Sequence, residues 1–236
     1  MQFYNTFKVG IFFIALLAGL SIFSKSKKPT GSFYEAEYYY VLANSGLPIR
    51  EKPSPKAAKL YKIPYNTKIK VDKFTGVENT FQGLKNYWAK VTYNGRTGYL
   101  FSGFLSRLKG PKYNLRSLKR YAFDTFKQIE NTVIKKDAGD HKQQITIFEN
   151  NISLSITEGF ETYGETLFLP GFTYQEAFLI GINLDSRYSK FSYKPDSDQE
   201  YFQCFYDPDE CIEMGDCLTV ATKNSGGIYI SIAAGC

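Results

Sequence analysis

Histidine is almost missing from this chain: its 236 residues hold one, His141, beside one tryptophan, Trp88, and two methionines. A single imidazole falls short of the ligand set that zinc hydrolases use. Ser-His-Asp chemistry would have to recruit His141 from a polar connector, and the sequence carries no Gly-x-Ser-x-Gly elbow to present the serine. Cysteine is scarce too, with all four residues late in the chain: Cys204, Cys211, Cys217 and Cys236. Their spacing includes no close Cys-x-x-Cys pair, which argues against a structural zinc site. No metal or other cofactor is expected. Long apolar runs are also lacking. The longest, Val9 to Phe23, has 15 residues and would reach roughly 22 Å as a helix, against a hydrocarbon core of roughly 30 Å.

That run has its own meaning. Lys8 precedes it and Ser24-Lys25-Ser26-Lys27-Lys28-Pro29 follows, so residues 1–28 are expected to direct export as a cleaved signal peptide. The basic excess after the run and the poor cleavage site leave an alternative, an uncleaved membrane anchor formed by residues 9–23. Leu17-Ala18-Gly19-Leu20 has the outline of a lipobox with leucine in the cysteine position, and offers no thiol to acylate. The expected location is the periplasm or the extracellular space. In that setting the four cysteines are disulfide candidates, and their three connectivities stay open.

Charge is unevenly placed. Residues 1–110 carry 17 Lys and Arg against 5 Asp and Glu, whereas residues 111–236 carry 12 against 18. A basic first half followed by an acidic second half is the simplest organisation. The basic half is nearly all lysine, including Lys68, Lys70 and Lys90. Lysine makes a diffuse field for anionic polymers, unlike the arginine of bidentate base or phosphate readout, and no nucleic-acid partner is expected.

Against these absences, residues 41–105 are rich in short strand signals. From Trp88 to Tyr93 bulky residues alternate with smaller or charged ones, Asn94-Gly95 marks a type I′ hairpin, and Gly98-Tyr99-Leu100 reads as the return strand. Leu47-Pro48-Ile49-Arg50, the turn Pro53-Ser54, the strand Lys68-Ile69-Lys70-Val71, the Trp88-Ala89-Lys90-Val91 strand and the closing Ser102-Gly103-Phe104-Leu105 follow in order. Together they resemble the bacterial SH3 (SH3b) domain. Pro48 stands where asparagine is usual, and Asn66 takes the place of a turn glycine, a substitution that left-handed backbone tolerates.

The resemblance implies an SH3-like β-barrel over residues 38–108 that binds cell-wall peptide, anionic glycan or an envelope protein. Tyr65, Tyr87, Trp88, Tyr93 and Tyr99 are the candidate ring platforms, with Lys68, Lys70 and Lys90 as charge contacts. For Trp88 a place in the barrel core competes with a place in a binding groove. Wall hydrolases often accompany such domains, but His141 preceding every cysteine runs against the nucleophile-first order of their cysteine peptidases.

After Gly110-Pro111, residues 111–236 read as an uncharacterised α+β domain with a mostly antiparallel sheet. Leu115, Leu118, Ala122, Phe126, Ile129 and Val133 recur at helical spacing, with Asn114 as a cap. Ile145, Ile147, Ile152, Leu154 and Ile156 alternate as two strands around Glu149-Asn150-Asn151. Thr173-Tyr174-Gln175-Glu176 is a capping box, and strand-like runs follow at Tyr188–Tyr193, Tyr201–Tyr206, Leu218–Thr222 and Gly227–Ala233. The chain is thus mainly β plus α+β. Asp196-x-Asp198-x-Glu200 lacks the glycine of a calcium loop. Glu158, Glu161 and Glu165 are the remaining candidates for a two-carboxylate glycosidase. The expected function is a non-catalytic, exported binding or scaffolding protein of the cell envelope. A hydrolase accessory or carboxylate-based glycosidase, and a subunit of an envelope assembly, are the alternatives.

Overall fold

The computed structural model describes residues 33–112, 114–130, 133–136, 142–159, 162–188, 193, 200–206, 215–223 and 227–235. The expected signal segment, His141, Cys211, Cys236 and the Asp196–Asp198 stretch lie outside them.

The first half is a curled antiparallel sheet of seven strands: β1 (Tyr38–Val41), β2 (Leu47–Arg50), β3 (Lys59–Ile63), β4 (Lys68–Phe81), β5 (Leu84–Tyr93), β6 (Arg96–Phe101) and β7 (Leu105–Ser106). Their order is β3-β2-β6-β5-β4-β1-β7. Asn94 and Gly95 both take positive φ, 50° and 73°, as the type I′ turn requires, and Asn66 takes 60°. Gly98 serves close approach: a Cβ there would sit 2.3 Å from Ile49 Cγ2, so β2 and β6 pack only with glycine between them.

Alternation along β5 breaks once, and the break organises the molecule. Leu84, Asn86 and Trp88 are buried on one face, Ala89 and Val91 on the other. Ala89 and Val91 join Val41, Ile49, Ile69 and Leu100 in the barrel's own core. Leu84 and Trp88, with Leu42 and Phe101, belong instead to a second core shared with the rest of the chain. Trp88 is therefore buried, but in the seam between the two halves and not inside the barrel. Two buried faces on one strand leave no room for polar alternation there.

The second half is a seven-stranded antiparallel sheet built from β8 (Val133–Lys136), β9 (Lys142–Ile147), β10 (Ser153–Gly159), β11 (Thr162–Leu169), β12 (Glu200–Tyr206), β13 (Gly215–Lys223) and β14 (Gly227–Gly235). The order is β12-β13-β14-β11-β10-β9-β8. Leu154, Ile156, Leu167, Leu169, Leu218, Val220, Ile228 and Ile230 bury one face beneath α1 (Leu118–Thr125) and α2 (Tyr174–Ile182). The capping box of α2 forms as expected.

Three sequence expectations need correction. The first helix is capped by Ser117, not Asn114, and ends at Phe126. Ile129 leaves it, 58% exposed, because the chain turns back and its amide bonds to Ile147 O at the sheet's edge, where Val133 opens β8. Residues Tyr188 and Tyr193 are not in strands; Tyr193 instead donates its amide to Gln82 O at the tip of the β4–β5 hairpin. The segment 162–169, for which the sequence announces no element, is the central strand β11. On β9 the buried residue is Thr146, with Ile145 and Ile147 on the partly exposed face. Cys204 of β12 stands directly across from Cys217 of β13.

Candidate functional site

Positions facing outward on the barrel follow from its core positions. Ile49, Leu100, Ala89 and Val91 point in, so Arg50, Tyr99 and Lys90 point out. The register pairs Arg50 with Tyr99, Tyr99 with Lys90 and Lys90 with Lys73. One rank thus runs across β2, β6, β5 and β4: a cation, a ring and two more cations. Among the described residues no carboxylate lies within ion-pair distance of Arg50, Lys73 or Lys90. Like charges opposite one another cost stability, which makes an unpaired basic rank an arrangement that an anionic ligand would relieve.

The other predicted residues are dispersed. Tyr93 stacks on Tyr61, ring centroids 6.3 Å apart, with the Arg96 guanidinium 6.0 Å from the Tyr61 centroid. Tyr61 also donates its hydroxyl to Arg96 O, and burial raises its pKa. Lys68 lies 4.7 Å over the Tyr38 ring on β1, and Lys70 is paired with Glu37 at 2.5 Å. Tyr87 packs edge-on against Tyr34. Tyr65 donates its hydroxyl to Pro111 O, 2.9 Å away, and burial raises its pKa; this ring holds the connector between the halves. Of the eight predicted contact residues, Tyr99 and Lys90 share the rank. Arg50 and Lys73 complete it: Arg50 follows from alternation with Ile49, whereas Lys73 reaches the rank only through the register shift between Val71 and Lys73, which strand parity does not announce.

At one end the rank meets the seam. Arg50, Trp88, Phe101, Phe104, Phe81, Pro48 and Leu47 line a small apolar recess. Phe81, Phe104, Pro48 and Leu47 also wall a larger groove of about 390 Å³ that extends to Leu179, Ile182 and Asn183 of the second half. Below this groove the halves are locked together. Arg107 Nε and Nη2 grip the Glu176 carboxylate at 2.9 and 2.6 Å, and the Arg107 amide, the Thr173 amide and the Thr173 hydroxyl donate to it as well. Asn86 donates to Gln175 Oε1, and Gln175 donates to Gly103 O. The Arg107 and Glu176 charges are thus matched to each other, in contrast to the rank.

Glu165, one of the glycosidase candidates, is buried on β11 and accepts hydrogen bonds from the Ser117 hydroxyl, the Lys119 amide and the Tyr163 hydroxyl. It anchors the first turn of α1, where carboxylate charge complements free amides. Glu158 is exposed, and Glu161 lies outside the described residues. Among the described residues no three His, Cys, Asp or Glu side chains gather as metal ligands, and no helix is long and apolar enough to cross a membrane.

Residues 45–106 match the family model described as the bacterial SH3 domain, the segment that contains the whole rank. Neither the curated proteins nor the solved structures provide a match to the chain. A bacterial SH3 domain suggests a binding module, often associated with the cell wall.

Proposed function

Taking residues 45–106 as a bacterial SH3 domain, we propose that the chain is an exported, non-catalytic binding protein of the cell envelope. Its barrel engages wall peptide or anionic glycan through the Arg50–Tyr99–Lys90–Lys73 rank. The observation that carries this reading is the set of three outward cations around one ring, with no carboxylate partner among the described residues. Exposed lysines attract polyanions at range, and a tyrosine face adds short-range contact to a sugar or peptide group.

Export is supported by Lys8 and the apolar run at residues 9–23. It is also supported by the facing positions of Cys204 and Cys217, which favour that connectivity and leave Cys211 with Cys236. Non-reducing peptide mapping of protein recovered from the envelope should return a Cys204–Cys217 peptide, and free thiols at both positions would count against export.

The decisive experiment is co-sedimentation with purified wall sacculi. Retention is expected at low salt and should fall as salt shortens the range of the lysine field. A chain that stays in the supernatant at every ionic strength would end the proposal. Zymography on the same material addresses the hydrolase alternative, for which clearing is the signature.

A further inference from the structure

Two polar atoms at the seam have no partner. Trp88 Nε1–H is a buried donor with nothing to donate to, and Asn183 Oδ1 is a buried acceptor with nothing to accept. Both residues are more than nine-tenths buried, at 1% and 5% exposure. The orientation of Asn183 is fixed by its other end, since Nδ2 donates to Leu42 O at 3.1 Å and Leu179 O at 2.6 Å. A flipped amide would set its oxygen against two carbonyls. Leaving such groups unpaired costs about 1–3 kcal/mol each, and buried orphans of this kind call for an explanation.

They line adjoining spaces. Trp88 lines the recess and Asn183 the groove, and the two spaces share Leu47, Pro48, Phe81 and Phe104 as walls. The shared walls are apolar, with Phe81 and Phe104 only partly buried, so these are the side chains that would part to let a ligand reach the two atoms. One unpartnered donor and one unpartnered acceptor beside these shared apolar walls match the C=O and N–H of a secondary amide. At the outer end stands Arg50, one of whose guanidinium nitrogens is held by Ala57 O at 2.6 Å; beyond it come Tyr99 and Lys90 of the rank.

We propose that this groove, formed jointly by the SH3-like barrel and α2, binds a short peptide. A peptide bond flanked by small apolar side chains lies over Trp88 and Asn183, and a free carboxylate meets Arg50. The proposal rests on the reading of the barrel as a binding module and gives that reading a ligand class. Wall volume favours small side chains, and the uncharged floor disfavours charged ones. The carboxylate gains charge-assisted hydrogen bonds from Arg50.

The chain holds a single tryptophan, so one indole N–H resonance reports directly on the orphan donor. Full-length protein is titrated with N-acetyl-Ala-Ala carrying a free carboxylate, with the same peptide capped as an amide, and with the disaccharide of N-acetylglucosamine. The indole resonance is expected to shift saturably with the free-acid peptide, and about tenfold more weakly with the capped one. In Arg50→Gln the two peptides should bind alike. Ala43→Phe, which fills the groove from its partly exposed wall, should abolish the shift while the melting curve stays cooperative.

An unmoved indole resonance, an equal response to the disaccharide, or an unaffected Ala43→Phe protein overturns the peptide groove. Sacculus retention is scored separately. Retention without an indole response removes the groove and leaves the envelope-binding reading standing; an indole response without retention does the reverse.

Discussion

The outward rank and the seam lie on the same face of the same curled sheet, yet they treat charge in opposite ways. At the seam Glu176 has no exposed side-chain surface and its carboxylate accepts from both Arg107 and Thr173. Along the rank Arg50, Lys90 and Lys73 stand beside Tyr99 without a carboxylate among the described residues. Burial explains the difference. A charge removed from water costs several kcal/mol unless it is paired and hydrogen-bonded, whereas a solvated lysine tolerates the lack of a partner and remains free to meet one.

The comparison breaks first at the seam. Glu176→Ala should lower unfolding stability by about 3–5 kcal/mol, because the largely buried Arg107 guanidinium would lose its carboxylate; a urea unfolding curve close to wild type would show that the two halves do not depend on this lock. Gly98→Ala comes next. The added Cβ would press on Ile49 Cγ2 and Arg50 O, with an expected loss of about 1–3 kcal/mol, read in the same assay and reaching the rank through the displaced Arg50.

A smaller effect is expected at Asp185, whose buried carboxylate is gripped by Arg187 at 2.8 Å and Arg116 at 3.0 Å. Burial pushes its pKa up, but the Arg187 hydrogen bonds and the two guanidinium charges outweigh burial and hold it below the ordinary carboxylate value. A lowered folded pKa adds stability above the unfolded value of about 3.9, and that contribution disappears as pH falls through the folded value. Asp185→Asn should therefore be less stable than wild type at neutral pH, with the gap closing below about pH 4. A gap independent of pH would assign the loss to packing. Smallest in stability is the pair Lys73→Ala and Lys90→Ala, expected within about 0.5 kcal/mol of wild type. Their measurable effect is on sacculus retention at low salt, which should drop sharply. Undiminished retention would detach the rank from binding.

Much of the barrel could be read from the chain because its signals are local. Asn94-Gly95 forces a hairpin, Asn66 accepts a left-handed turn, and the Leu47-Pro48-Ile49-Arg50 alternation puts Ile49 inside and Arg50 outside. The capping box at Thr173 is local in the same sense. The helical pattern after Pro111 runs past the end of α1 because Ile129 and Val133 keep helical spacing, while hydrogen bonding to β9 competes for the same backbone. Strand β11 gives little strand signal because glutamate and glycine weaken its pattern; Glu165 can lie buried there because the start of α1 and the Tyr163 hydroxyl supply its donors.

The candidate site was legible in its residue types and not in its grouping. Tyr99 and Lys90 were recognisable as contact residues, but Asn183 carried no signal at all, since its importance arises from a groove between segments more than a hundred positions apart. The amino-acid sequence by itself determined the turns, the in-and-out parity of the barrel strands and the basic charge of the first half, all properties of neighbours along the chain. Tertiary structure alone decided that Trp88 faces the second half, that the Arg107 and Glu176 charges meet, and that one donor and one acceptor are stranded beside the groove between the halves. Those outcomes depend on which faces come to share a core, and burial energy is a property of the assembled surfaces rather than of any single stretch.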